Sequence, residues 1–251
     1  MYLIPNVKQK SECIYSRAAG GVKIYYGLPQ THLGFWYNPC MEWGKLVYLL
    51  VIILIGYLPY KAIQRYSKDG FASISTRLAF LMTTWFLLLS TLLINQTPNL
   101  FVNTSLVSIV GFGITVLLWA FAPYLLRRIG KVPTQVIIDN PKSYLIRTQP
   151  KMYMLKFCEI LFQQAKFAYL LFVVLGGLPQ TSRIWWFSFI IIVLHLYNMY
   201  FVRAAMLFFL VSIPMGPLFS ILILNGYITV AMTIHLWFYL ILVSWYRLRH
   251  P

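Results

Sequence analysis

From Trp43 onward, long apolar runs alternate with short basic segments. A helix crossing the hydrocarbon core of a bilayer needs about 20 consecutive, mostly apolar residues. Seven runs answer to that requirement: Trp43–Tyr60, Ser75–Ile94, Leu106–Leu126, Leu155–Leu178, Ile184–Tyr200, Ala204–Leu224 and Tyr227–Trp245. The fourth is interrupted by Glu159 and Lys166. The sixth holds Pro214 and Pro217 around Gly216 and is expected to kink or break there. The pattern predicts an all-α, polytopic helical bundle in a membrane, with seven transmembrane helices, or eight if an element near residues 1–40 re-enters the bilayer. Three segments follow from it. Residues 1–42 form a polar, basic N-terminal stretch, 43–150 hold three spans and a basic loop, and 151–251 hold the last four spans.

Composition supports the same class. Of 251 residues 60% are hydrophobic and only 10% charged, whereas soluble domains carry about 25% charged residues. There is too little polar surface here to cover a soluble fold. The net charge of +16 raises the question of nucleic acid. The bases sit between apolar runs and form no continuous basic face, so no nucleic-acid partner is expected. Lys and Arg instead gather in cytoplasmic loops of membrane proteins. Four bases lie in 61–77, seven in 127–156, one at Arg203 and two at Arg247 and Arg249, while 95–105 has none. Seven spans with the C-terminus inside therefore put fourteen bases in the cytoplasm, as expected for a multi-pass protein of the plasma (inner) membrane. The bases ahead of the first span, Lys8, Lys10, Arg17, Lys23 and Lys45, are the excess on the wrong side; a start at Met41 would leave only Lys45.

The cysteines, Cys13, Cys40 and Cys158, are odd in number and lack metal-site spacing, so no disulfide framework is expected. Asn95-Gln-Thr and Asn103-Thr-Ser are formal glycosylation sequons. With Pro98 following the first, both read more simply as polar caps on helix ends.

Ionisable groups inside spans are costly and turn toward a protein interior or a water-filled cavity. In the C-terminal half these are Glu159, Lys166, His195 and His235. Glu159 lies near the cytoplasmic start of its span and His195 near the cytoplasmic end of the next, so both fall in the cytoplasmic half of the bilayer; His235, about midway along the last, lies somewhat deeper, and the three are expected to converge across three helices. Glu and His together can polarise a water for attack on a carbonyl. Two His and a carboxylate can also hold a divalent metal, such as zinc, with a position open for water. Each also has a local alternative: His195 bonding a backbone carbonyl, Glu159 pairing with Lys156 or Lys166, and His235 packing in a polar seam.

The order of these residues carries a resemblance. Cys158-Glu159-Ile-Leu-Phe-Gln163-Gln164 resembles the first motif of the CPBP (CAAX-protease and bacteriocin-processing) family, two glutamates followed after three residues by arginine. Ile191 to His195 is similar to the family's Phe-x-x-x-His, and Gly226 to Tyr239 to its glycine-led helix with His-x-x-x-Asn. The resemblance covers roughly residues 150–245. It implies an intramembrane endopeptidase in which Glu159, His195 and His235 activate water, with or without a metal held by the same three residues, on a membrane-associated peptide or protein. The departures are chemical. Cys158 replaces the first glutamate, Gln163 the arginine, Ile191 the phenylalanine and Tyr239 the asparagine. Cys158, Gln163 and Tyr239 are thereby left in supporting positions, where Tyr239 has a hydroxyl to donate. Two alternatives stand beside the protease: a catalytically inactive relative acting as a membrane scaffold or binding protein, and a small membrane transporter with Pro214-Met-Gly-Pro217 as a broken helix.

Overall fold

The computed structural model describes residues 43–66, 74–98, 100–101, 103–130, 144–201 and 206–249. All lie in one compact unit spanning 39–251. The proposed start at Met41 and the re-entrant element near 1–40 fall outside the described residues.

Each apolar run becomes a helix, and no strand occurs among the described residues: α1 (Trp43–Tyr66), α2 (Thr76–Ile94), α3 (Leu106–Leu126), α4 (Pro150–Tyr169), α5 (Gln180–Phe201), α6 (Met206–Leu224) and α7 (Ile228–Leu248). A single turn of 3₁₀ helix, Tyr144–Arg147, precedes α4, and a π-helical turn, Leu170–Val174, extends it. Five stretches are long and apolar enough to cross a membrane: Trp43–Ala62, Thr76–Ile94, Leu106–Leu126, Pro150–Val174 and Ile228–Leu248. They mark a membrane protein by length and composition. The apolar part of α6, Phe208–Leu224, is shorter.

The helix ends follow local chemistry. Ser75 and Ser105 cap α2 and α3, their hydroxyls accepting from the amides of Leu78 and Ser108. Pro150 opens α4, where a missing N–H costs nothing. The C-terminus of α6 closes on Gly226 at φ 77°. The amides of Gly226 and Tyr227 turn back to the carbonyls of Ile223 and Leu222, the left-handed closure that glycine alone adopts without strain. The formal sequons are absorbed in the same way. Asn95 caps the end of α2, the Thr97 hydroxyl donates to the Leu93 carbonyl, and the Asn103 amide donates to the Asn225 carbonyl.

Prolines inside helices leave carbonyls to be satisfied. Pro59 in α1 has no N–H for the carbonyl of Ile55, four residues back. The indole N–H of Trp85 on α2 donates to that carbonyl at 3.3 Å. The break expected at Pro214 and Pro217 does not occur, and α6 is continuous through both. Its backbone packs tightly at this point: a Cβ on Gly216 would come within 3.1 Å of the Ser188 backbone on α5.

The bundle is organised around α4. It packs most extensively on α2 and also meets α1, α3, α6 and α7, while α5 packs along α6 and α3 along α7. The most polar of the helices is thus the most enclosed, inverting the order of soluble proteins. The aromatic rings of Phe86, Phe162, Tyr57 and Tyr60 form one stack between α1, α2 and α4. Residues such as Leu54, Leu58, Leu88, Val107, Leu117 and Ile241 face outward, as suits a surface solvated by lipid. At the far end of α7 the Arg247 guanidinium donates to three carbonyls, Ile129 and Gly130 after α3 and Ile146 before α4.

Candidate functional site

The polar side chains of α4 repeat at helical spacing. Lys156, Glu159, Gln163 and Lys166 recur every three or four residues and therefore share one side of the helix. That side meets α1. Glu159 is buried and has both carboxylate oxygens engaged. Oε2 accepts from Lys156 Nζ at 3.0 Å and from the Tyr60 hydroxyl at 3.0 Å; Oε1 accepts from Gln163 Nε2 at 3.1 Å. The pair predicted between Glu159 and Lys156 is formed, and Gln163 supplies a neutral hydrogen bond where the family motif has a cation.

A second set of contacts runs toward α7. Lys156 Nζ lies 4.4 Å from the centroid of the Tyr239 ring, within cation–π range. That ring stacks on His235, which stacks on Phe219 of α6 on its other side. Nδ1 of His235 is 3.0 Å from Nε2 of the fully buried Gln164. Lys156 and Tyr239 thus connect Glu159 to His235. Gln164 is five residues beyond Glu159, about 140° around the helix, so His235 approaches a different side of α4 from the one that presents the carboxylate.

His195 donates from Nδ1 to the carbonyl of Ile191, one turn back on α5, at 2.8 Å, which leaves Nε2 as its basic nitrogen. It lies within electrostatic reach of His235, as does Lys156. Cys158 is a buried free thiol. Among the described residues no three His, Cys, Asp or Glu side chains gather closely enough to hold a metal ion. Glu159, His195 and His235 therefore do not form a set of zinc ligands among the described residues.

The sequence did not point to Tyr57, Tyr60 or Gln164. Tyr57 and Tyr60 sit one turn apart on α1 and take up Lys166 and Glu159 respectively. The spacing Tyr-x-x-Tyr ahead of a basic loop is the signal that was present, though tyrosines are common at membrane interfaces and stand out little there.

No protein-family model, curated protein or solved structure matches the chain.

Proposed function

We propose that this chain is a divergent CPBP-like integral membrane protein of seven spans, its C-terminus in the cytoplasm, that keeps the family's inward Glu and two His for structure and binding in place of hydrolysis. The observation that carries the reading is the engagement of Glu159 by three donors, two on Oε2 and one on Oε1. A carboxylate that activates water needs an oxygen open to that water and a base-competent geometry. Here the carboxylate is tied by three donors to Lys156, Tyr60 and Gln163 as a structural node, and the neighbouring position, a glutamate in the family motif, is a thiol at Cys158, which burial keeps protonated. The protein is then a membrane scaffold or binding protein, its polar centre fixing α1 against α4 and α7.

The test restores the motif. Cys158→Glu with Gln163→Arg is expected to release new peptide termini from co-reconstituted farnesylated CAAX-type peptides, with none from the parent. A parent that already cleaves them contradicts the reading.

One observation favours the endopeptidase instead. His195 is held as the tautomer with a basic Nε2, the form in which imidazole accepts a proton. On that reading Glu159→Ala and His195→Ala each abolish cleavage by the parent while leaving the fold intact.

A further inference from the structure

The outward side of α7 is ridged. Ile241 and Trp245, one turn apart and both exposed, stand between two shallow apolar grooves. Phe238 and Leu242 wall the groove on one side of this ridge, of about 260 Å³. Trp237, Leu240, Ser244 and Leu248 line the groove on the other, of about 300 Å³. Helical geometry explains the division: at about 100° per residue, Phe238 and Leu242 project to one flank of Ile241, and Leu240 and Ser244 to the opposite flank. The walls are held from within the bundle. The indole N–H of Trp237 donates to the Thr115 hydroxyl of α3 at 3.2 Å. The Phe238 ring meets Phe208 of α6 edge-on, their centroids 5.9 Å apart. One turn past Trp245, the guanidinium of the exposed Arg249 lies 4.8 Å from the centroid of the Trp245 ring, within cation–π range. Arg247 donates to the carbonyls of Ile129 and Gly130, so the exposed Arg128 that follows α3 belongs to the same end of the bundle.

An acyl chain gains little from apolar protein surface as such, since the surrounding tails are equally apolar. A bound lipid is distinguished by its headgroup and by grooves already shaped for its chains, and α7 offers both. Arg249 and Trp237 are separated by about 18 Å of helix rise, close to the roughly 15 Å of hydrocarbon in one leaflet. We propose that α7 binds one anionic diacyl phospholipid, its two acyl chains straddling the Ile241–Trp245 ridge and its phosphate on the Arg249 guanidinium. A guanidinium meets phosphate as a planar, bidentate donor. With Arg128 at the same end, the charge favours headgroups of net negative charge over zwitterionic ones. A second copy of the chain is the other occupant that ridges and grooves could take. Copies inserted in the same sense would pair about a two-fold axis along the membrane normal. That axis brings the Arg249 of one copy toward that of the other, and the like charges oppose the pairing, whereas a phosphate is attracted. The inference is independent of the reading of Glu159 and requires only that α7 cross a membrane.

The experiment uses the full-length chain in nanodiscs of phosphatidylcholine with a minor fraction of phosphatidylglycerol, followed by transfer to detergent and native mass spectrometry. The parent is expected to be a monomer that retains one phosphatidylglycerol. Arg249→Gln should lower that retention about tenfold, the loss of one charged hydrogen-bond donor. Arg249→Lys, which keeps the charge, should hold most of it. Leu242→Trp fills the first groove and should lower retention of phosphatidylglycerol while leaving that of single-chain lysophosphatidylglycerol unchanged, because one groove suffices for one chain. The retained single-chain lipid also shows that this variant is folded. Equal retention by the parent and Arg249→Gln overturns the site, as does a parent with no preference for phosphatidylglycerol over phosphatidylcholine. Retention of phosphatidylglycerol by Leu242→Trp at the parent's level overturns the straddled ridge. So does loss of both lipids from this variant at an unchanged melting temperature in lipid-free detergent. A parent dimer that sheds phosphatidylglycerol gives this face to a second copy and overturns the lipid assignment.

Discussion

Replacing Lys156 with Met, a side chain of similar length and no charge, takes from the buried Glu159 the ammonium paired with it at 3.0 Å. The side chains of Lys156 and Glu159 are 9% and 6% exposed, so water screens the pair little and the energetics of buried pairs apply. Removing one member of such a pair costs about 3–5 kcal/mol, while replacing both with apolar residues of similar volume is close to neutral. The expected pattern is a loss of about 3–5 kcal/mol for Lys156→Met, a comparable loss for Glu159→Met, and a double variant within about 1 kcal/mol of the parent. The free energies are read from SDS-induced unfolding in mixed micelles, followed by far-ultraviolet circular dichroism. If Lys156→Met costs under about 1 kcal/mol, or if the double variant loses the sum of the singles, Glu159 is not held by Lys156 as argued. In the first case its carboxylate would be hydrated and open to chemistry.

Three further outcomes follow from particular contacts and are read in the same unfolding assay. Trp85→Phe removes the donor to the Ile55 carbonyl that Pro59 leaves unpaired and should cost about 1 kcal/mol; Pro59→Ala in that background should return most of it by restoring the helical N–H. Arg247→Met should cost about 3 kcal/mol, since three carbonyls at the ends of α3 and before α4 lose a charged donor together; a loss below about 1 kcal/mol would mean water replaces the guanidinium. Gly226→Ala should cost about 1 kcal/mol through the left-handed backbone at φ 77°, with Gly216→Ala costing more because its Cβ meets the α5 backbone.

The helices were legible because a membrane imposes one rule on every residue of a span. Apolar runs located all seven helices, five of them long and apolar enough to cross a membrane. The proline pair in α6 was misleading. Pro214 and Pro217 were expected to kink or break the helix; the break does not occur, and the close approach of Gly216 to Ser188 is not written in either segment alone. In the polar centre, the pairing of Glu159 with Lys156 and the bond from His195 to a carbonyl were readable, being one-turn contacts along a helix. Tyr60, Gln164 and the route from Lys156 over Tyr239 to His235 join residues 70 to 100 positions apart. Depth placed His235 somewhat deeper than Glu159 but gave no information on rotation about the axis of α4, so the contact of His235 with Gln164, on another side of that helix from Glu159, was not readable from it.

The most direct test of the account is a map of new peptide termini in farnesylated CAAX-type peptides co-reconstituted with the parent, with the parent carrying Cys158→Glu and Gln163→Arg, and with Glu159→Ala. The account predicts that parent and Glu159→Ala vesicles match protein-free vesicles and that new termini arise only with the restored pair. Termini produced by the parent and lost in Glu159→Ala would contradict it and make Glu159 a working base.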